Sequence, residues 1–161
     1  MSADVAAPNT AIHTELACAQ NVDPSRRYVG EWRRLNSIHG HIETAVTNAL
    51  SDVGLSLVEF TVLDILQEQM NGHMRMQDVA LVAGLTTGAT TRLVNRLEQR
   101  ELLRRVLCAH DRRGIYTELA PDGEELLTRA RARHDGAVGL ILSSEQMIQA
   151  MTEVTTSLRS L

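Results

Sequence analysis

The chain has 161 residues, 43% of them hydrophobic, with only four aromatic residues and a formal net charge of −4. That is one domain's length, enough for a core without disulfides or metals, and Leu, Val, Ile, Met and Ala must fill it. No apolar run reaches the 18 residues of a membrane span, and the N-terminus has neither a basic start nor an apolar block, so the sequence predicts a soluble cytoplasmic protein.

Residues 1–24 carry little pattern and end in Asp23-Pro24, which predicts a flexible arm with at most a short helical piece around residues 12–19. From Ser25 to about Leu50, Trp32, Leu35, Ile38, Ile42, Val46 and Ala49 recur every three or four residues, the period of an amphipathic helix, and Gly54 stops it. Ser56-Leu57-Val58-Glu59 is a capping box that opens a second helix with Leu57, Phe60, Leu63 and Leu66 inward. Asn71-Gly72 predicts a turn. A short third helix follows from Met76, with Val79, Ala80 and Ala83 inward, and Gly84 ends it.

Thr86 can cap a fourth helix over residues 86–98. Its inward stripe is Thr90, Leu93, Val94 and Leu97, and its opposite stripe is Thr87, Gly88, Thr91, Arg92, Asn95 and Gln99. Two helices joined around a glycine, the second polar outside, make a helix-turn-helix. Residues 102–108 and 115–119 predict two strands joined by the turn His110-Asp111-Arg112-Arg113-Gly114, a cationic wing. Such a helix fits a major groove and such a wing reaches the adjoining minor groove.

Pro121 opens a fifth helix through Leu127, Ala130, His134 and Ile141, and Ser143-Ser144 cap a sixth with Met147, Met151, Val154 and Leu158 inward. The first, fifth and sixth helices hold more apolar surface than a small winged lobe can cover, which predicts a homodimer. The organisation expected is an arm (1–24), a first dimerisation helix (25–54), a winged helix-turn-helix lobe (55–120) and C-terminal dimerisation helices (121–161). The fold class is mainly α with a small β part (α+β).

Charge distribution points the same way. From Arg75 to Ile115, eight arginines face four acids, so this stretch carries +4 and the rest of the chain −8. A cationic lobe on an acidic body is the pattern of a protein with one phosphate-facing side. All sixteen basic residues are arginine, a planar fork suited to phosphates and base edges, although the total absence of lysine points more to a GC-rich genome.

Cys18 and Cys108 form no C-x-x-C pair, and the six histidines (13, 39, 41, 73, 110 and 134) share no metal-ligand spacing with them. No metal or cofactor is expected. Enzyme motifs are equally missing: there is no phosphate-binding glycine loop after a strand, no G-x-S-x-G and no H-E-x-x-H.

The sequence resembles the MarR family of transcriptional regulators across roughly residues 26–160. The resemblance is carried by Gly54-Leu55-Ser56, Phe60-x-x-Leu63, Arg75-Met76-x-x-Val79-Ala80, the run Thr91-Arg92-Leu93-Val94-Asn95-Arg96-Leu97-Glu98, the wing Asp111-Arg112-Arg113-Gly114-x-Tyr116-x-x-Leu119, and Gly123. It implies a bacterial, nucleoid-associated homodimer whose two winged lobes straddle a pseudo-palindromic operator on double-stranded DNA. Thr87, Gly88, Thr91, Arg92 and Asn95 would face the major groove, with Thr86 and Arg96 completing the helix contacts. Arg112 and Arg113 would sit at the wing tip with Asp111 bracing them. Arg would suit guanine and Asn adenine, each pair discriminating by about 1–3 kcal/mol. Gly88 either admits a close phosphate or base, or is a tolerated surface glycine.

The resemblance also implies a repressor released by a small aromatic or phenolic acid held between the dimer helices and the lobe. Trp32, Arg33, Leu35, His39 and His134 are the candidate lining, with ordinary dimer packing as the alternative for each. Two other mechanisms compete. One is a redox-sensing cysteine, although Cys18 has no cation beside it and Cys108 follows Arg104-Arg105. The other is a winged-helix dimer that binds only protein. Three positions depart from the family pattern: Glu101 where glycine is common, Ala120 where threonine usually precedes the proline, and Cys108 with His110 in the wing.

Overall fold

The computed structural model describes residues 24–69, 72–108 and 111–159, so residues 1–23 of the expected arm, with Cys18, as well as Asn71 and His110, lie outside the described residues, while Pro24, expected in the arm, begins a helix. Helix α1 (Pro24–Ser51) leads to α2 (Leu57–Glu68), strand β1 (His73–Arg75), α3 (Met76–Ala83), α4 (Thr87–Gln99), strands β2 (Leu103–Cys108) and β3 (Asp111–Leu119), then α5 (Pro121–Leu142) and α6 (Glu145–Arg159). This is a mostly helical winged helix-turn-helix with long helices at both ends. No helix among the described residues is long and apolar enough to cross a membrane.

One core joins the helices to the sheet. Val46 and Leu50 of α1, Phe60, Leu63 and Leu66 of α2, Val94 and Leu97 of α4, Leu103 of β2 and Leu127 of α5 are all buried together. The capping box forms as its sequence demands. The Ser56 N–H donates to Glu59 Oε2 at 2.8 Å, and the Glu59 N–H donates back to Ser56 Oγ at 3.3 Å. At the start of α6, Ser144 Oγ accepts from the Met147 N–H at 3.4 Å. Ser143 instead closes α5.

The sheet is antiparallel in the order β1-β3-β2. Its third strand, β1, is a difference from the sequence expectation: His73-Met74-Arg75 is too short to show a period, and only pairing with Glu118, Thr117 and Tyr116 makes it a strand. The expected wing turn also shortens. β3 begins at Asp111, so Asp111, Arg112, Arg113 and Gly114 belong to the strand, and Cys108 pairs with Asp111 beyond an irregularity at Leu107/Cys108. Main-chain pairing of Asp111 with Cys108 starts the strand before the point that the turn propensity of Asp and Gly suggests.

Gly123 has a packing reason. A Cβ at this position in the first turn of α5 would stand 1.9 Å from the Leu102 carbonyl oxygen, so only glycine lets α5 cross the start of β2 so closely.

The terminal helices depart from expectation on their faces. The inward side of α1 runs through Glu31, Val46 and Leu50, while Trp32 is 63% exposed and Leu35 and His39 are exposed. Glu31 is buried against α6, where Ser157 Oγ donates to its Oε1 at 2.8 Å. In α6, Met147 and Val154 are buried, but Met151 and Leu158, expected inward, are exposed. Among the described residues nothing covers these exposed side chains.

Candidate nucleic-acid interface

The interface is built on the turn between α3 and α4. Gly84 ends α3 in the left-handed conformation (φ 62°), its N–H reaching the carbonyls of Ala80 and Leu81. Thr86 is extended and caps α4, its hydroxyl oxygen accepting from the Ala89 N–H at 3.4 Å. Thr90, Leu93, Val94 and Leu97 then face the core, all four buried as their spacing predicts. Thr86, Thr87, Gly88, Thr91, Arg92, Asn95 and Arg96 are left exposed. A Cβ on Gly88 would meet nothing closer than 3.9 Å, so packing within the chain does not require glycine there.

The exposed side chains divide by what already holds them. The Thr91 hydroxyl donates to the Thr87 carbonyl at 2.9 Å, leaving its oxygen as an acceptor. Arg92 makes no ion pair among the described residues. Arg96, expected to face DNA, directs its Nε to Glu59 Oε1 at 2.9 Å, so part of its fork is committed within the protein.

Glu59 is the brace that sequence reading misses. Its Oε1 also accepts from Arg100 Nη1 at 3.2 Å, and Arg100 Nη2 donates to the Gly54 carbonyl at 2.9 Å. The last turns of α4 are thereby tied to the α1–α2 corner. Burial works against the charged Glu59 carboxylate, but the Ser56 N–H and hydroxyl and the Arg96 guanidinium outweigh it and hold its pKa below the ordinary 4.5. The capping box marks Glu59 in the sequence. Its partners, 37 and 41 residues away, carry no local signal.

A second tie runs from the wing. Arg105 of β2 donates through Nη1 to Glu98 Oε2 and through Nη2 to Asn95 Oδ1. Arg104 pairs across the hairpin with Glu118 at 2.5 Å. Arg75, at the end of β1, donates from Nε to the Tyr116 hydroxyl at 2.7 Å. Between α3, α4 and the root of the wing lies an open groove of about 880 Å³, bordered by Arg75, Gln77, Thr87, Thr91, Arg105 and Ile115. Arg112 and Arg113 enter β3 at the outer end of the hairpin, beside Asp111.

The candidate ligand lining is not brought together. Trp32, Arg33, Leu35 and His39 are exposed along α1. His134 instead stacks on Phe60, ring centroids 4.5 Å apart, and its Nδ1 lies 2.9 Å from Asp135. A cavity of about 730 Å³ lies elsewhere, between α1 and the α5–α6 corner, where Arg34, Ser37, His41, Asn48, Ser144 and Met147 border it. An apolar 3.6-residue stripe does not say which neighbour covers it.

A winged lobe with a capped, polar-faced second helix and arginine-rich strands is the architecture of a DNA-binding regulator. The MarR family model matches residues 53–114. The HTH-type transcriptional regulator MhqR of Bacillus subtilis (strain 168) is 29% identical over 124 residues, 76% of this chain and 81% of that protein. Among solved structures, CouR from Rhodococcus jostii RHA1, bound to p-coumaroyl-CoA, is 30% identical with a TM-score of 0.63, covering 77% of this chain and 87% of CouR. A Cys-to-Ser mutant of MarR from E. coli complexed with operator DNA shares the fold at 15% identity, TM-score 0.62, covering 85% and 99% of the two chains. The chain belongs to the MarR family and is a transcriptional regulator of the winged-helix DNA-binding type.

Proposed function

We propose that the protein is a homodimeric repressor that grips a pseudo-palindromic operator and lets go when a small aromatic or phenolic acid binds. The observation that carries the DNA part is Arg92: an exposed guanidinium in the middle of the polar face of α4, without an acidic partner among the described residues, flanked by Thr87, Gly88, Thr91 and Asn95. Its neighbours Arg96, Arg100 and Arg105 are held by Glu59 and Glu98, which fixes the frame and leaves Arg92 to reach outward. Arg112 and Arg113, with Asp111, are assigned to the minor groove beside the wing. The domain roles follow: residues 55–120 read DNA, and α1, α5 and α6 pair with a second copy.

The ligand part is supported by CouR, a relative bound to an aromatic acyl thioester. Its seat in this chain is assigned to the cavity between α1 and the α5–α6 corner, where Arg34 and His41 offer cationic or hydrogen-bonding groups above an Ile38, Ile141 and Met147 floor. A ligand there bears on the helices that set the distance between the lobes.

A gel shift with the duplex upstream of the protein's own gene, run over a salt series, tests the DNA assignment. Arg92→Ala should lose discrimination between operator and scrambled duplex by about tenfold or more. Arg113→Ala should weaken both duplexes and flatten the salt slope by about one unit. Retention of no duplex by the wild type would overturn the assignment.

A further inference from the structure

Asn95 lies on the exposed face of α4, where an asparagine left to itself would read adenine: Nδ2 donates to N7 and Oδ1 accepts from the N6 amino group. In this structure the amide is not left to itself. Arg105, reaching over from β2, splits its fork between the Glu98 carboxylate and Asn95 Oδ1. A guanidinium has only donors, so the group it touches must be the amide oxygen, and the amide cannot turn over without setting N–H against N–H. The contact is charge-assisted, and Glu98 holds Arg105 in place from the other side.

We propose that Arg105 is a positioning residue for base recognition. Its cationic donor takes one of the two lone pairs of Asn95 Oδ1, which weakens that oxygen as an acceptor for a second donor and strengthens the outward Nδ2 amino group as a donor, so that Asn95 selects guanine, with its adjacent O6 and N7 acceptors, rather than adenine. An adenine at that position would bring its N6 donor toward an oxygen already facing a cation. The inference rests on α4 being the base-reading helix.

Selection from a library of randomised duplexes by the full-length protein, followed by sequencing, tests it. The base contacted by Asn95 is identified as the position whose preference changes in Asn95→Asp. That variant keeps an acceptor for Arg105 but loses the donor, and should move toward cytosine, whose N4 donates. Wild type should prefer guanine over adenine there by about tenfold. Arg105→Met, which frees Oδ1, should move the preference to adenine, while Arg105→Lys, which keeps a donor, should retain guanine. A merely structural Arg105 would lower affinity for all sequences without changing the preferred base. Adenine preferred by the wild type, or no change of preference in Arg105→Met while Asn95→Asp changes it, would overturn the inference and leave the DNA assignment standing. No enrichment of any duplex would overturn both.

Discussion

Glu101 is the residue whose backbone departs furthest from what its side chain favours. It follows α4 at φ 57°, the only non-glycine with positive φ among the described residues, and the Leu102 N–H reaches back to the Leu97 carbonyl at 3.0 Å. That is the glycine position of a helix-ending Schellman turn, which explains why glycine is common there in the family pattern. An L-residue in this conformation costs roughly 1–2 kcal/mol, partly offset because glycine has more freedom to lose on folding. Glu101→Gly should therefore stabilise the protein by about 1 kcal/mol, measured as a raised denaturant midpoint at unchanged slope. A lowered midpoint would mean that the carboxylate makes a contact outweighing the strain. Ala120, the other departure, stands at the start of α5 without any side-chain cap, as its methyl requires.

At the scale of elements, the C-terminal half of α4 is held by ion pairs that reach two different elements. Glu59 joins α2 to Arg96 and Arg100, and Arg105 joins β2 to Glu98 and Asn95. The orientation of α4 is thus fixed by contacts within the chain itself. Glu59→Gln keeps the shape but loses the charge that two arginines share, and should destabilise the protein by about 2 kcal/mol. The pH dependence follows from the lowered pKa of Glu59: its contribution is complete above the ordinary carboxylate value of 4.5 and fades as the pH falls through the lower folded value. Wild type and Glu59→Gln should therefore differ fully at pH 7 and converge in acid when their urea midpoints are compared. A difference that stays constant down to pH 3 would assign the destabilisation to packing.

For the whole molecule, the unpaired feature is the apolar surface on the terminal helices. Tyr28, Trp32 and Leu35 on α1, Leu140 on α5, and Ile148 and Met151 on α6 are all at least 44% exposed. The concentration of large apolar side chains on three helices supports the proposed pairing with a second copy. Light scattering after gel filtration should give twice the 17.8 kDa chain mass. Trp32→Glu should shift the protein toward monomer while keeping its helical circular dichroism, and should weaken operator binding because one lobe alone grips half a site. A wild type that runs as a monomer at micromolar concentration would remove the dimer from the account.

The division between sequence and tertiary structure follows the range of the interactions. Periodicity, caps and turn residues act over a few positions, so the order of the helices, the capping box at Ser56 and the buried stripe Thr90, Leu93, Val94 and Leu97 of α4 were all legible in the chain. So was the exposure of Thr87, Gly88, Thr91, Arg92 and Asn95, because one face of a helix is fixed once the other is known. What the chain could not declare was set by contacts dozens of residues apart. His73-Met74-Arg75 became a strand only through pairing with β3, and His134 of α5 stacks on Phe60 of α2. Arg96 and Asn95 met Glu59 and Arg105. Local patterning determines which surface of an element is available; only the packing of the whole chain decides which partner takes it, because a hydrogen bond or ion pair between distant residues leaves no period in the sequence.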